Sequence, residues 1–251
     1  MSRVYPWLAM LLLVASWEGL VRLFQVPQWL LPAPSAIAGE FSARPAMFLS
    51  HALVTSGEIV LGFALSVLIG VPLAIAMAYS RVFERTLYPI LVSSQAVPKV
   101  AVAPLLNVWF GFGTPPKVIV AFLIAFFPIV IDTLVGLRAV EPEMLHLARS
   151  MGASAWQTFV KIRLPRALPS VFAGLKVAIT LAVVGATVGE FVAADKGLGY
   201  VLMMASGEMN SRLLFAGIIA LTAIGVVFFF LIESLERWLM PWRTSRELQV
   251  Y

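Results

Sequence analysis

The segment Glu141–Pro165 reads EPEMLHLARSMGASAWQTFVKIRLP, the longest polar and basic stretch in a chain that is otherwise largely apolar. Pro142 suits the first position of a helix, and Glu141 and Glu143 lie where a helix dipole favours negative charge. Gly152 suits the left-handed residue that stops such a helix. Ser154 and Gln157 have the S-x-x-Q spacing of a capping box, which starts a second helix at Ala155. Pro165 disfavours helix at the residue before it, so that second helix is expected to end near Leu164. The spacing thus predicts two short helices hinged at Gly152, lying in water between two membrane spans. Four large apolar residues, Leu147, Met151, Trp156 and Phe159, interrupt the polar segment. Either they pack under the membrane helices or some of them fill the cleft of a partner.

Outward from this segment, composition sets the class. The chain is 61% hydrophobic and only 12% charged, too apolar for a soluble domain of 251 residues. It has no cysteine, which removes disulfides and thiol metal sites. The net charge of +5 is spread between apolar runs rather than clustered, so it fits membrane topology and not nucleic-acid binding.

Six spans are expected in an all-α polytopic membrane protein. They are Tyr5–Phe24, Ile59–Ser80 (starting as early as Ala52), Leu87–Phe110, Val118–Leu137, Leu168–Ala194 and Leu213–Ile232. Arg3 before the first run and small residues at Ala15-Ser16 also suit a signal peptide, but Trp17 and Glu18 make a poor cleavage site and the apolar run continues to Phe24. Pro27, Pro32 and Pro34 mark an irregular loop, after which Ser35 caps a short helix through Phe41. Prolines at 72 and 128 predict kinks. The third span is interrupted by Gln95, Pro98, Lys99, Pro104 and Asn107.

Lys and Arg counts orient the chain. With the N-terminus inside, the inner segments hold Arg3, Arg81, Arg85, Arg138, Arg149, Lys161, Arg163, Arg166, Arg237, Arg243 and Arg246, against Arg22, Arg44, Lys117, Lys196 and Arg212 outside. That bias places both termini and the Glu141–Pro165 segment in the cytoplasm.

Little of the sequence suggests catalysis. The P-loop pattern has no match, the two histidines (His51 and His146) lack a metal-binding neighbourhood, and no nucleophile elbow is present. Ionisable residues within spans carry more weight, because a mid-bilayer charge costs about 2.5–3.5 kcal/mol on insertion scales and needs a partner or water. Gln95, Lys99, Asp132 and Glu190 are the candidate path residues. Lys99 has two readings: it offers positive charge to an anionic substrate, or it ties Asp132 or Glu190 between helices. Lys176, nearer the cytoplasmic end, is expected to snorkel. Glu18 and Glu58, at span ends, carry no functional expectation.

Gly152, nine intervening residues, then Ile162, Leu164 and Pro165 resemble the cytoplasmic loop of binding-protein-dependent ABC importer permeases, whose pattern is E-A-A, three residues, G, nine residues, I-x-L-P. Of the E-A-A part Ala148 is present, with His146 and Leu147 in the first two places. Leu31-Pro32-Ala33-Pro34-Ser35, Trp109-Phe110-Gly111-Phe112-Gly113 and Gly197-Leu198-Gly199-Tyr200 extend the resemblance along nearly the whole chain, closest to the nitrate, sulfonate and taurine importer group. The resemblance implies a single permease domain over 1–251, with an importer-type core at about 52–237 and the 5–24 helix peripheral to it. It implies that His146, Leu147, Ala148, Arg149, Gly152, Ala153, Ser154, Gln157, Ile162, Leu164 and Pro165 form an ATPase-coupling loop. A dimer of ATP-binding cassette subunits would grip that loop and bind the ATP, leaving this chain without cofactor, metal or enzymatic activity. A second permease copy, an extracytoplasmic binding protein and the bacterial inner membrane complete the implied setting. The implied cargo is a small sulfonate-, taurine- or nitrate-like anion. Alternatives are a pyrimidine or other vitamin precursor carried by the same machinery, or an ion-coupled secondary transporter using Lys99, Asp132 and Glu190 as a relay.

Overall fold

The computed structural model describes residues 5–242, which form helices and connecting loops with no β-strand. Arg3, Arg243 and Arg246, used above for orientation, lie outside the described residues.

The chain begins with α1 (Tyr5–Leu23) and α2 (Pro34–Ala43), followed by α3 (Pro45–Tyr79), α4 (Arg81–Gln95), α5 (Lys99–Phe110) and α6 (Thr114–Arg138). Then come α7 (Pro142–Ser150), α8 (Ala155–Thr158), a π-helical turn (Phe159–Arg163), α9 (Leu164–Ala193), α10 (Leu198–Gly207) and α11 (Ser211–Leu239). Among the described residues, α3, α6, α11 and the continuous stretch Ala155–Val192 are long and apolar enough to cross a membrane. The pair α4–α5 makes a fifth crossing if its two halves are one span. Helix α1 occupies the expected first run and packs on α2.

Several expectations change in detail. The third span is not one rod: α4 and α5 meet at a 96° bend. Pro98 has no N–H to donate and forces Val97 away from helical geometry, so the chain breaks at residues 96–98. Ser35 does not cap α2, which starts one residue earlier with Pro34 at its first position. Instead Ser35 donates its hydroxyl (2.7 Å) and backbone N–H (3.0 Å) to the Glu18 carboxylate, so Glu18 joins α1 to α2. Lys176 has a partner that the sequence did not show: its Nζ lies 2.8 Å from Glu236 Oε2 and ties α9 to α11.

The centre of the bundle is α6, packed chiefly against α9 and α3. Ala121, fully buried on α6, faces glycine on both sides. A Cβ on Gly62 of α3 would stand 2.5 Å from the Ala121 Cβ, and one on Gly185 of α9 would stand 2.5 Å from its Cα. Lower down, a Cβ on Gly136 would meet the Ala167 carbonyl at 2.8 Å. Small residues at these crossings let the backbones touch, which maximises dispersion contacts where lipid offers no hydrophobic drive for helix association. Gly185→Leu is therefore expected to wedge α6 from α9 and cost roughly 1–3 kcal/mol. Thermal unfolding in detergent checks it. Gly19→Leu, at a site with no atom within 4 Å, is the control that leaves the melting temperature unchanged.

Candidate functional site

The Glu141–Pro165 segment folds largely as its local chemistry dictates. Pro142 opens α7, whose end is a Schellman motif: the Ala153 N–H donates to the Ala148 carbonyl and the Gly152 N–H to that of Arg149, both at 2.9 Å. Gly152 has φ +77°, the left-handed value the sequence anticipates. Both capping-box bonds form, Ser154 Oγ accepting from the Gln157 N–H at 3.2 Å and Gln157 Oε1 accepting from the Ser154 N–H at 2.8 Å. The second helix, however, does not end at Leu164. Hydrogen bonding shifts to i→i−5 over Phe159–Arg163, with the Leu164 N–H donating to the Phe159 carbonyl. Pro165 follows the wider turn directly, so the loss of its N–H falls where the hydrogen-bond register has already shifted. The turn thus splices α8 onto α9 without a break.

The apolar residues of the segment divide. Phe159 packs against the core, its ring 5.9 Å from that of Tyr79 and 6.0 Å from that of Trp156. Leu147, Met151 and Trp156 are 60%, 78% and 72% exposed. His146, Arg149 and Gln157 are exposed beside them, Ala148 is buried, and Ala153, Ile162, Leu164 and Pro165 are half-buried where the segment meets the bundle. The outcome is a surface with three exposed large apolar side chains in a polar rim, the composition of a protein-binding patch.

The four path candidates do not converge. Gln95 is exposed at the end of α4. Lys99 is half-buried in a cavity of about 290 Å3 whose walls include Phe122, Phe126 and Phe127. Neither expected tie forms: among the described residues Lys99 has no ion pair, and Asp132 has none either. Asp132 instead packs against Gly174, on which a Cβ would come within 2.7 Å of the Asp132 Cβ.

Glu190 belongs to a network that the sequence did not reveal. His51, Thr55 and Glu58 stand on one face of α3, at i, i+4 and i+7. Thr55 donates its hydroxyl to Glu190 Oε1 at 2.6 Å and accepts the Leu198 N–H at 2.8 Å. Glu190 Oε2 accepts the Gly199 N–H, and His51 Nδ1 accepts that of Gly197 at 2.9 Å. Lys117 Nζ lies 3.0 Å from Glu58 Oε1, with Lys117 4% and Glu58 1% exposed. The first N–H groups of α10, which no intrahelical carbonyl can satisfy, are thus taken up by side chains of α3 and α9. Gly197 and Gly199 are required there, because a side chain on either would collide with the Glu190 carboxylate. This polar cluster lies at the end of the bundle opposite the Glu141–Pro165 segment, since α9 starts at one and finishes at the other. Glu58 is therefore no idle residue at a span end. The signals available were its spacing from His51 and Thr55, and the GLGY turn.

Comparison with known proteins places this architecture. The family described as binding-protein-dependent transport system inner membrane component matches residues 66–243. A formylaminopyrimidine transport permease of Halalkalibacterium halodurans is 37% identical, over 96% of this chain and 96% of that protein. A taurine transport system permease of Escherichia coli is 31% identical, over 86% and 78% respectively. Among solved structures, the inward-facing MetNI methionine ABC transporter superimposes with a TM-score of 0.68 at 19% identity, covering 77% of this chain and 97% of that one, a likeness of fold. The loop pattern, the helical architecture and the match over most of the chain agree, and the chain belongs to the family of binding-protein-dependent transport system inner membrane components.

Proposed function

We propose that this chain forms half of the translocation pathway of an ABC importer, pairing with a second copy and carrying a small nutrient handed over by an extracytoplasmic binding protein. As a permease it is a transport subunit and not an enzyme; the ATPase is a separate partner. The observation that carries the reading is the shaped segment outside the bundle, with Leu147, Met151 and Trp156 exposed. These three side chains enter a cleft of the ATPase, with His146, Arg149 and Gln157 at the rim. Both termini and this segment face the cytoplasm, as the arginine bias supports. The test is reconstitution in liposomes with the partner ATPase and binding protein. The permease alone is expected to hydrolyse no ATP, and the full assembly to accumulate substrate only with ATP. Uptake that survives ATP depletion and collapses with the ion gradient would overturn the reading in favour of a secondary transporter.

Two substrate classes draw support. The uncompensated Lys99 suits an anion such as taurine, and the phenylalanine walls of its cavity suit the face of a heterocycle such as a pyrimidine. Gln95, Lys99 and Asp132 face the path in either case, and Glu190 holds its outer end. Lys99→Gln separates the two. For an anion it is expected to raise the half-saturating concentration roughly tenfold or more, the worth of one charge-assisted hydrogen bond. For a heterocycle the change is small. The melting temperature is unchanged in both, because Lys99 is in no ion pair among the described residues.

A further inference from the structure

At the end of the bundle that carries the Glu141–Pro165 segment, a cavity of about 710 Å3 opens between α4, the end of α6 and that segment. Arg81, Arg85, Arg138 and Arg163 line it, against one acid, Glu84, a net of +3 from these five side chains. Arg138 is engaged by Glu84. Arg163 is half-buried, its guanidinium 5.3 Å from the Tyr79 ring centroid, which holds the side chain in place by cation–π attraction. Arg81 and Arg85, one turn apart on α4, have no carboxylate partner among the described residues. Topology accounts for arginines near this face of a membrane protein. It does not account for four of them converging on one concavity whose other walls include Leu137, Val140 and Leu145.

We propose that this cavity is a binding site for a phosphate-bearing anion, either the headgroup of an anionic phospholipid or phosphate from solution. Guanidinium forks match phosphate oxygens in pairs, and basic pockets between membrane helices at the inner face suit phospholipid headgroups. Helix α4 is built to offer the lipid source. Arg81 and Arg85 bracket its first turn, and Val82 and Phe83 between them are 78% and 38% exposed, so acyl chains have an apolar surface beside the headgroup. Because Leu145 of α7 and Arg163 of the π-helical turn share the cavity with Arg81 and Arg85, a bound anion links α4 to the Glu141–Pro165 segment. The site itself does not depend on the transport reading, and its test measures binding alone.

The experiment uses the full chain in lipid nanodiscs, comparing Arg81→Gln/Arg85→Gln with Lys161→Gln/Arg166→Gln, a charge-matched pair exposed at the same end but outside the cavity. In the first arm, phosphatidylglycerol is titrated into phosphatidylcholine discs and retained lipid is counted by native mass spectrometry. In the second, inorganic phosphate is added to discs of phosphatidylcholine alone and thermal stabilisation is read. The Arg81/Arg85 pair is expected to weaken binding on the order of 30-fold, from two arginines at a membrane surface, while the control pair binds within about threefold of wild type. Loss confined to the first arm identifies the lipid headgroup, and loss in the second identifies free phosphate; either supports the site. Equal loss in both variant pairs, or no binding of either probe to the wild type, overturns it and leaves the arginines to carboxylates of the ATPase partner. All four substituted residues are exposed, so unchanged melting temperatures verify that the variants fold.

Discussion

Lys117→Met is expected to be the most damaging single substitution in the membrane domain, destabilising the protein by about 3–5 kcal/mol, the range for breaking a buried ion pair from one side. The Lys117 ammonium faces the Glu58 carboxylate at 3.0 Å with both side chains almost fully buried. Methionine fills similar volume, so the loss is electrostatic and not a packing defect. Glu190, also 1% exposed, belongs to the same cluster through Thr55, so the site then holds two carboxyl groups with no cation. For a chain of this size the effect corresponds to a fall in melting temperature on the order of 10 °C in detergent. Glu58→Gln in the Lys117→Met background is expected to recover more than half of it, since a well-packed neutral pair avoids the desolvation that the ions incur. A melting temperature within 2 °C of wild type (a margin of about 1 kcal/mol) for Lys117→Met alone would show that water, and not Lys117, stabilises the two glutamates.

The second large effect is expected at Gly152, and it is functional. No atom lies within 4 Å of a Cβ placed there, so any penalty for Gly152→Val comes from the backbone at φ +77° and not from a clash. A β-branched residue in that region costs roughly 1–3 kcal/mol, enough to unwind the Schellman motif and reorient α7 against α8. The spans are untouched, so insertion and yield should match wild type. Coupling should not: in the reconstituted transporter, ATP-driven uptake is expected to fall at least tenfold (about 1.4 kcal/mol of the backbone penalty). Gly152→Asn, whose side chain tolerates the left-handed region, is expected to retain most of the activity. If valine and asparagine behave alike, the geometry of the turn is not what the ATPase reads.

How much of this was legible in the sequence follows from the range of the interactions. The Schellman stop at Gly152 and the Ser154–Gln157 box are made by residues within six positions of one another, and both formed as their spacing predicts. Pro165 shows where a local rule fails. A proline does disturb the preceding turn, but one i→i−5 turn absorbs the disturbance and the helix continues. The polar cluster was hidden because most of its bonds are long-range; Thr55 and Glu190 are separated by 135 positions, although the Gly199–Glu190 bond spans only nine. His51, Thr55 and Glu58 also lower the hydropathy of the first half of α3, so the uncharged run starts at Ile59 whereas the helix begins at Pro45. Lys117 counted toward topology for the same reason, since a charge at a span end reads as solvated until its partner is known. Fold class, four of the apolar runs and the broken third one rest on composition and proline chemistry, which the sequence displays directly.

The π-helical turn at Phe159–Arg163 has a mechanical consequence. It makes the stretch from Ala155 to Val192 a single shaft. Trp156 sits near one end and Glu190 near the other, a separation of about 50 Å at the rise of a helix. Pro169 removes one hydrogen bond near the Trp156 end, yet the helix runs on to Val192, so turning Trp156 about the helix axis would carry toward the Glu190 carboxylate. That carboxylate accepts the Gly199 N–H at the start of α10, and this hydrogen bond would be sheared by the same twist. A twist applied at one end would thus reach the other through a single piece of backbone.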